Sequence, residues 1–438
     1  MSSRIAVTTL AVMADAAPSE SAHRRPDVGI GTLLAGDGVR GVGMLCVFFT
    51  HLFLVADPDP YSNLAAYGWA APILGHIDLG LSAFFVLSGY LIARPFARAY
   101  VAGTRRPRLS SYVRNRVLRV VPAFYFFTVL VLLRFGLDGS IQTGPGAPTA
   151  TSEWWQVLGQ FLFVQGQVAG PAAVPIGPAW SIGAEVGFYV LIPIAAFVAY
   201  RAGERIASQR KRVALALVAI ALLTFLSIAA RGARAKYDFT WLTSPPAIMY
   251  VFMPGVAVAI IEPLLVGAFR DRATRARLVG WGAFAAAALC AVAYAASDYD
   301  VRQTPIHHAL GQRALIAALS TGALIFGLVV LQLGTGKAPR LFGNRVMLWM
   351  GARSYSFYLV HIWILFELDQ ILARDMPLGP RAVVMMAIAL PITTLVAALS
   401  YRYVERPFLD RKRRVTAGGS GDPPPAAEPL PVAVGPAR

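Results

Sequence analysis

Stretches of mostly apolar residues alternate with short polar segments along the whole chain. They lie near 38–56, 73–93, 118–137, 180–200, 213–230, 246–262, 279–296, 313–332, 347–371 and 382–403. A helix of about 20 apolar residues crosses the hydrocarbon layer of a bilayer, because each residue adds about 1.5 Å of length. The pattern therefore predicts an all-α fold, a polytopic integral membrane helical bundle of about ten transmembrane helices.

The composition supports a membrane protein. Of the 438 residues, 56% are hydrophobic and 14% are charged. Soluble domains carry about 25% charged residues, so the deficit is large. The mean hydropathy of +0.57 agrees with a chain that is mostly solvated by lipid.

Both ends of the chain differ from the apolar body at 36–409. We predict a flexible cytoplasmic lead at 1–35. The segment 410–438, which is rich in Pro, Gly and Ala, is expected to be a disordered cytoplasmic tail.

One long connection needs a separate interpretation. The segment 138–179 contains an apolar run that is too short to span a bilayer, and Trp154 and Trp155 suit a membrane interface. We therefore predict an outer loop that carries an interfacial or re-entrant helix. His307 and His308 are assigned to another outer loop, without a functional role.

The net charge of +17 bears on topology rather than on nucleic acid. Most Lys and Arg residues lie in every second connecting segment. These are the segments on the same side of the membrane as the N-terminus. The positive-inside rule then places the N- and C-termini in the cytoplasm, in a multi-pass protein of the cell membrane. We expect membrane lipid, and no nucleic acid, as the partner of these clusters.

Cys46 and Cys290 both lie within apolar stretches. A buried thiol of this kind behaves as a small apolar side chain, so we predict neither a disulfide nor a metal site.

Arg40 and His51 share one stripe of the first apolar stretch. Eleven residues at about 100° each return almost to the same helix face, with a rise of about 16 Å. A membrane-embedded histidine can act as a general base, and an arginine can bind phosphate or carboxylate. Spacing alone leaves a structural hydrogen bond for His51 and a headgroup contact for Arg40 equally open.

Further candidates lie in the second and third stretches. Ser88 belongs to a set of small residues that allows close helix packing, and this role is favoured over catalysis. Asp78 could pair with a cation or bind a polar acceptor, and a solvated surface position is equally open. Arg116 and Arg119 are one helical turn apart, where they could hold phosphates. Composition alone favours a role for these two arginines in topology and lipid binding.

Glu185 is an acidic residue within an apolar stretch, where it needs a partner or a proton. Trp180 precedes it, and His361 is a second histidine inside a predicted span. Glu405 and Arg406, at the end of the last stretch, are interpreted as interfacial anchors.

Six segments, taken in order, resemble the acyltransferase 3 family of integral membrane proteins. They are 37–40 with His51, 84–92, 116–122, 180–189, 354–361 and 405–407. This family O-acylates cell-surface polysaccharides, lipids, peptidoglycan and some secondary metabolites. The resemblance implies ten spans around one catalytic pocket, with residues 36–409 as the acyltransferase domain.

The resemblance also implies functional roles. Acyl-CoA, with acetyl-CoA as the first expectation, would be the donor substrate, and no cofactor is permanently bound. A hydroxyl of a sugar, a glycolipid or a macrolide would be the acceptor. The expected roles are catalysis by His51, Arg40 and Glu185, donor binding by Arg116, Arg119 and Arg40, and acceptor or substrate binding by Asp78, Ser88, Trp180 and His361.

Two other classes of protein remain open from the sequence. A transporter of a sugar, a lipid or an acylated metabolite would also have many spans and embedded charges, together with inverted repeats and paired broken helices. A non-catalytic membrane scaffold would leave Arg40, His51 and Glu185 apart in the folded bundle.

Overall fold

The structure, a computed structural model, describes residues 33–57, 76, 79–135, 154–165, 177–233, 241, 243–270, 272–296, 306–372 and 376–411. Its helices, in chain order, are α1 (Gly36–Ala56), α2 (Leu79–Ala102), α3 (Leu109–Phe135), α4 (Trp154–Phe161), α5 (Trp180–Gly203), α6 (Gln209–Ala233), α7 (Pro245–Ile248), α8 (Met253–Phe269), α9 (Ala273–Ala296), α10 (Ile306–Thr335), α11 (Arg340–Gly343), α12 (Arg345–Ala352), α13 (Ser354–Ile371) and α14 (Leu378–Ser400). No β-strand occurs in these ranges. The prediction of an all-α polytopic membrane bundle is confirmed.

The number of spans is close to the prediction. Within the described ranges, eight helices are long and apolar enough to cross a membrane, and a bent pair would make nine. This pair joins Pro245–Val251 to Met253–Phe269 at an angle of 52°. Helix α13 was predicted as a span but is not apolar enough to be counted as one, because its 18 residues include His361, Glu367 and Asp369.

Two details of the prediction were wrong. The stretch 347–371 is not one helix, because the backbone leaves the helical conformation at Arg353, between α12 and α13. The guanidinium of Arg353 lies 3.9 Å from the centroid of the Trp349 ring and 4.9 Å from that of Tyr401, which holds the break in place. In addition, α10 begins at Ile306, so the backbone of His307 and His308 is helical rather than a loop.

The connection between α3 and α5 contains a helix, as expected. Helix α4 is only eight residues long. The hydroxyl of Tyr125 donates to the carbonyl of Phe161 at 2.6 Å, and the amide of Gln165 donates to the carbonyl of Ala179 at 2.7 Å. These bonds tie the segment to α3 and to the start of α5.

Three helices form the centre of the bundle. Helices α1, α2 and α10 bury most of their apolar windows, whereas α6 and α9 bury only a small fraction of theirs. Helix α1 packs against α2, α12, α13 and α14, and α2 packs against α5, α8 and α10. Since the peripheral helices expose rows of large apolar side chains, their outer faces suit lipid.

Among the described helices, glycine allows the closest approach where α1 meets the short helices α11 and α12. A Cβ atom built on Gly351 would lie 1.6 Å from the carbonyl oxygen of Asp37, and one on Gly38 would lie 1.8 Å from that of Phe342. Only backbone atoms are in contact here, so no side chain can move aside. The contact sets the position of α1, which carries Arg40.

We predict that Gly351→Ala destabilises the protein by about 1–3 kcal/mol, because the added methyl group would force two backbones apart. Gly282→Ala, in α9, is the matched control, since nothing lies within 4 Å of its Cβ position. The stability of the Gly282→Ala variant should rise by at most about 1 kcal/mol, because alanine favours helices. Denaturant titration in detergent micelles measures both, and equal stabilities for the two variants would contradict the prediction.

Candidate active site

A cleft with about 750 Å³ of empty space, part of it open solvent, lies among α1, α2, α3, α5 and α13. We call it the inner cavity. Its wall combines aromatic and aliphatic side chains with charged and hydroxyl groups from five helices. The lining residues are Arg40, Leu81, Phe84, Phe85, Ser88, Leu91, Ile92, Arg116, Arg119, Val120, Ser181, Ile182, Glu185, Tyr189, Ser354, Tyr355 and Tyr358.

Glu185 is satisfied by two hydroxyl groups. Ser88 Oγ donates to Glu185 Oε1 at 2.7 Å, and the hydroxyl of Tyr189 donates to the same oxygen at 2.8 Å. Tyr189 is one turn further along α5, whereas Ser88 comes from α2. Both hydrogen bonds go to Oε1, which leaves Oε2 without a hydrogen bond from the described residues.

Three arginines line the inner cavity together with this carboxylate. The guanidinium of Arg116 lies 5.5 Å from the centroid of the Tyr189 ring, and its buried Nε has no hydrogen-bond partner among the described residues. Arg40 Nη1 donates to Asp37 Oδ1 at 2.7 Å, three residues earlier in α1. Together with Arg119, the arginines exceed the acidic groups, so the cavity favours an anionic ligand.

A second and wider cavity, of about 1270 Å³, adjoins the first. We call it the basic mouth. It shares Arg40, Leu91 and Arg119 with the inner cavity, so the two are neighbours on either side of these residues. Its remaining lining residues are Leu33, Leu34, Gly36, Asp37, Arg94, Pro95 and Arg98.

A buried carboxylate organises the arginines of the basic mouth. Glu262, 1% exposed, accepts from Arg94 Nε at 2.7 Å through Oε2, and from Arg94 Nη2 and Arg98 Nη2 at 2.7 Å through Oε1. The hydroxyl of Tyr90 donates to Oε2 at 3.1 Å. Sequence reasoning missed this network. Its signal was an acidic residue at the end of an apolar stretch, the same signal that pointed to Glu185.

His51 and His361 form a pair outside both cavities. His361 Nε2 lies 3.0 Å from His51 Nδ1, and the two ring centroids are 5.0 Å apart. Neither histidine lines the inner cavity or the basic mouth. The pair is linked to the cavity wall through Tyr358, which lies one turn before His361 on α13 and lines the inner cavity. Arg40 and His51 therefore occupy different surroundings, although they share one helix.

Tyr358 and Ser181 were not singled out from the sequence. Their hydroxyl oxygens are 2.7 Å apart, and the Tyr358 hydroxyl also donates to the carbonyl of Pro178 at 2.5 Å. This contact joins α13 to the start of α5 at the wall of the inner cavity. Ser and Tyr are common in apolar helices, so only their position in the fold marks them.

The remaining candidates divide into three cases. Trp180 packs against Phe85, with ring centroids 6.2 Å apart, and is not part of the cavity wall. Asp78 lies outside the described residues. Glu405 does not act as an interfacial anchor, because it is 6% exposed and accepts a hydrogen bond from Ser356 Oγ at 2.5 Å. That prediction was wrong because Glu405, at the end of a short π-helical segment at Tyr401–Glu405, packs against Ser356 of α13.

The described ranges contain no group of three or more His, Cys, Asp and Glu side chains that could hold a metal ion. The inner cavity offers carboxylate, hydroxyl and guanidinium groups, which can bind and orient a polar or anionic ligand.

The fold and the site define an integral membrane protein with a polar, cation-rich cavity inside a helical bundle. Residues 34–402 match the family model of an acyltransferase domain. The chain therefore belongs to the acyltransferase 3 family, as the six sequence segments indicated. No solved structure gives a significant match.

The matches with named relatives cover different shares of the relatives' own length. The chain is 23% identical to the acyltransferase MdmB of Streptomyces mycarofaciens over 419 residues, which are 90% of this chain and 96% of that protein. It is 25% identical over 340 residues to the O-acetyltransferase OatA of Staphylococcus aureus, covering 75% of this chain and 52% of that protein. The peptidoglycan O-acetyltransferase OatA of Listeria monocytogenes is 23% identical over 390 residues, 85% of this chain and 55% of that protein. The chain thus spans about half the length of these two OatA relatives.

We predict that Glu262→Gln costs about 3–5 kcal/mol of stability, because it leaves the buried guanidinium of Arg94 and the partly buried guanidinium of Arg98 without their carboxylate. Glu367→Gln is the matched control, since its partner Arg134 has a side chain that is 52% exposed. A surface ion pair contributes less than about 1 kcal/mol, so this variant should stay close to the wild type. Denaturant titration of both variants in detergent provides the comparison, and a Glu262→Gln protein as stable as the control would disprove the interpretation.

Proposed function

We propose that this protein is an integral membrane O-acyltransferase that moves an acyl group, first of all acetyl, from acyl-CoA to a hydroxyl group. The acceptor class is a carbohydrate, a glycolipid, a macrolide or a related molecule. One relative is named as a peptidoglycan O-acetyltransferase, and peptidoglycan carries sugar hydroxyl groups. The supporting observation is the arrangement of the inner cavity. Its three arginines and a hydrogen-bonded Glu185 adjoin a basic mouth at one end and a histidine pair behind the wall.

The donor class follows from charge and size. Coenzyme A combines several phosphates with a long, narrow pantetheine arm, and arginine binds phosphate with paired hydrogen bonds. In this proposal the phosphates lie in the basic mouth, near Arg40 and Arg119. Arg98, which is partly exposed there, adds a further cation. Arg116, in the wall of the inner cavity, has an Nε donor without a partner among the described residues, and it binds the innermost phosphate, beyond which the arm extends into the cavity.

The same proposal assigns the membrane orientation. Acyl-CoA is a cytosolic metabolite, so the basic mouth faces the cytoplasm, and the N- and C-termini lie on that side. The positive-inside rule gives the same orientation, because the segments near the mouth carry many arginines.

The chemical step uses His51 as general base, which requires the acceptor hydroxyl to reach the histidine pair behind the wall of the inner cavity. Its imidazole takes the proton of the acceptor hydroxyl, and the oxygen attacks the carbonyl carbon of the thioester. The carbon–sulfur bond then breaks, and the leaving thiolate takes the proton from His51. The step converts one hydroxyl group of the acceptor into an ester and releases one free CoA, so its atoms and protons balance.

Glu185 has the role of holding the acceptor. Ser88 and Tyr189 occupy one carboxylate oxygen, and the other is available to accept a hydrogen bond from a hydroxyl of the acceptor. This role explains a carboxylate in the wall of an apolar bundle better than direct contact with His51, since no hydrogen bond joins those two residues in the described part of the chain.

A transporter is the second candidate, and one observation favours it. The break of 52° between Pro245–Val251 and Met253–Phe269 resembles the discontinuous helices of secondary transporters. Transport moves a molecule intact, whereas acyl transfer releases one free CoA for each ester formed. This difference separates the two functions in a reconstituted system.

We predict that His51→Ala lowers acyl transfer by about 10²–10⁴-fold, the usual contribution of a general base. The assay uses the purified full chain in nanodiscs with labelled acetyl-CoA and a panel of sugar, glycolipid and macrolide acceptors. It measures ester formation and free CoA together. Normal transfer by a well-folded His51→Ala protein contradicts the mechanism, and acceptor movement without CoA release supports the transporter.

We predict that Arg116→Gln and Arg119→Gln each raise the KM for acetyl-CoA about tenfold or more, since a hydrogen bond to a charged group contributes about 1.5–3 kcal/mol. Arg105→Gln is the control, because Arg105 is exposed and lines neither cavity. Acetyl-pantetheine, which carries no nucleotide phosphates, should show little difference among the variants. Equal sensitivity of both donors would mean that the arginines do not bind the phosphates.

A further inference from the structure

The two rings of His51 and His361 are close together, and they also make specific hydrogen bonds. The two rings contribute four nitrogen atoms, and three of these have a partner within hydrogen-bond distance. His361 is 1% exposed, whereas His51 is partly exposed, so His51 is the ring of this pair that a substrate can contact. The place of His361 in the reaction must therefore be through His51.

Two backbone carbonyls determine where hydrogens lie on the rings. His51 Nδ1 is 3.0 Å from the carbonyl oxygen of Val47, and His361 Nδ1 is 2.7 Å from that of Tyr358. A carbonyl oxygen only accepts hydrogen bonds, so each Nδ1 carries a hydrogen. The opposite tautomers would set a nitrogen lone pair against an oxygen lone pair in both places.

The contact between the rings then has one consistent assignment. A neutral imidazole with a hydrogen on Nδ1 has a lone pair on Nε2. His361 Nε2 therefore accepts from His51 Nδ1, whose hydrogen is shared between this nitrogen and the carbonyl of Val47. Among the described residues no partner meets His51 Nε2, so this nitrogen keeps an unshared lone pair.

The arrangement also decides where an additional proton goes. A proton on His361 Nε2 would place two N–H groups against each other across 3.0 Å. A proton on His51 Nε2 leaves the contact intact and strengthens it, because the donor ring becomes cationic. His51 Nε2 is thus the nitrogen that can take a proton from a hydroxyl.

Packing holds His361 in this orientation. The ring of Phe357 is stacked on it, with an interplanar angle of 16° and centroids 6.2 Å apart. Phe357 in turn packs edge-on against Phe48 of α1, at 5.8 Å. A buried ring with a bonded Nδ1 and a stacked neighbour has little freedom to rotate.

We propose that His361 is a positioning residue that fixes the tautomer and orientation of His51, so that His51 Nε2 is the reactive nitrogen. This inference rests on the proposed acyl transfer. The arrangement corresponds chemically to the carboxylate behind the histidine of a hydrolase triad, with a neutral imidazole as the acceptor in place of an anion.

Two variants separate positioning from simple packing. His361→Leu keeps a similar volume without an acceptor, and His361→Gln keeps an amide oxygen near the place of Nε2. In nanodiscs, His361→Leu should lower kcat about 10–100-fold, as substitutions that disturb the orientation of a functional histidine do. The KM for acetyl-CoA should stay within about threefold of the wild type under the same reasoning. His361→Gln should recover most of the lost kcat. Equal losses in both variants, or a loss confined to KM, would overturn the role.

A second measurement does not depend on activity. Nitrogen-15 spectra of the histidine-labelled full chain distinguish protonated from unprotonated ring nitrogens, and His51→Gln and His361→Gln assign the signals. We expect hydrogen on Nδ1 of both rings and none on Nε2 of either. A hydrogen on His51 Nε2 in the resting protein would overturn the proposal even if acyl transfer is observed. Absence of transfer by the wild type, with the expected spectra, would instead refute the proposed function and leave the tautomer assignment standing.

Discussion

Charged groups inside a lipid-solvated bundle are tolerated only when other groups of the protein satisfy them, and this constraint shapes the whole structure. Glu262 is buried and bonded to two arginines and a tyrosine. Glu185 receives two hydroxyl groups, and the buried Arg381 pairs with Asp369. Each pairing joins residues from different helices or turns, so the polar groups help to specify which helices become neighbours.

The same pairings divide the interior into regions of different chemistry. The basic mouth has an excess of cations, the inner cavity combines cations with a half-satisfied carboxylate, and the histidine pair lies among aromatic rings. A long, polyanionic thioester matches this order, with its phosphates at the mouth and its acyl end inside. A single span could not supply all three regions, because they draw on side chains from several helices.

Much of the fold was predictable from the sequence, because hydropathy along a helix depends on contiguous residues. The helical membrane bundle and the helix between α3 and α5 followed from apolar length and from the position of tryptophans. The break at Arg353 did not follow, because it depends on stacking against Tyr401, which belongs to the last helix. Glu405 was misjudged for a related reason, since its burial depends on contact with Ser356 of another helix.

For the site, the sequence by itself determined the chemical groups and their approximate depth: two histidines, an embedded carboxylate and arginines near the helix ends. The six ordered segments also indicated the family. Only the tertiary structure decided that Ser88 meets Glu185, that Arg94 and Arg98 share Glu262, and that His51 faces His361 rather than the inner cavity. The physical reason is that periodicity defines the face of one helix, whereas contacts depend on how separate helices rotate and pack together.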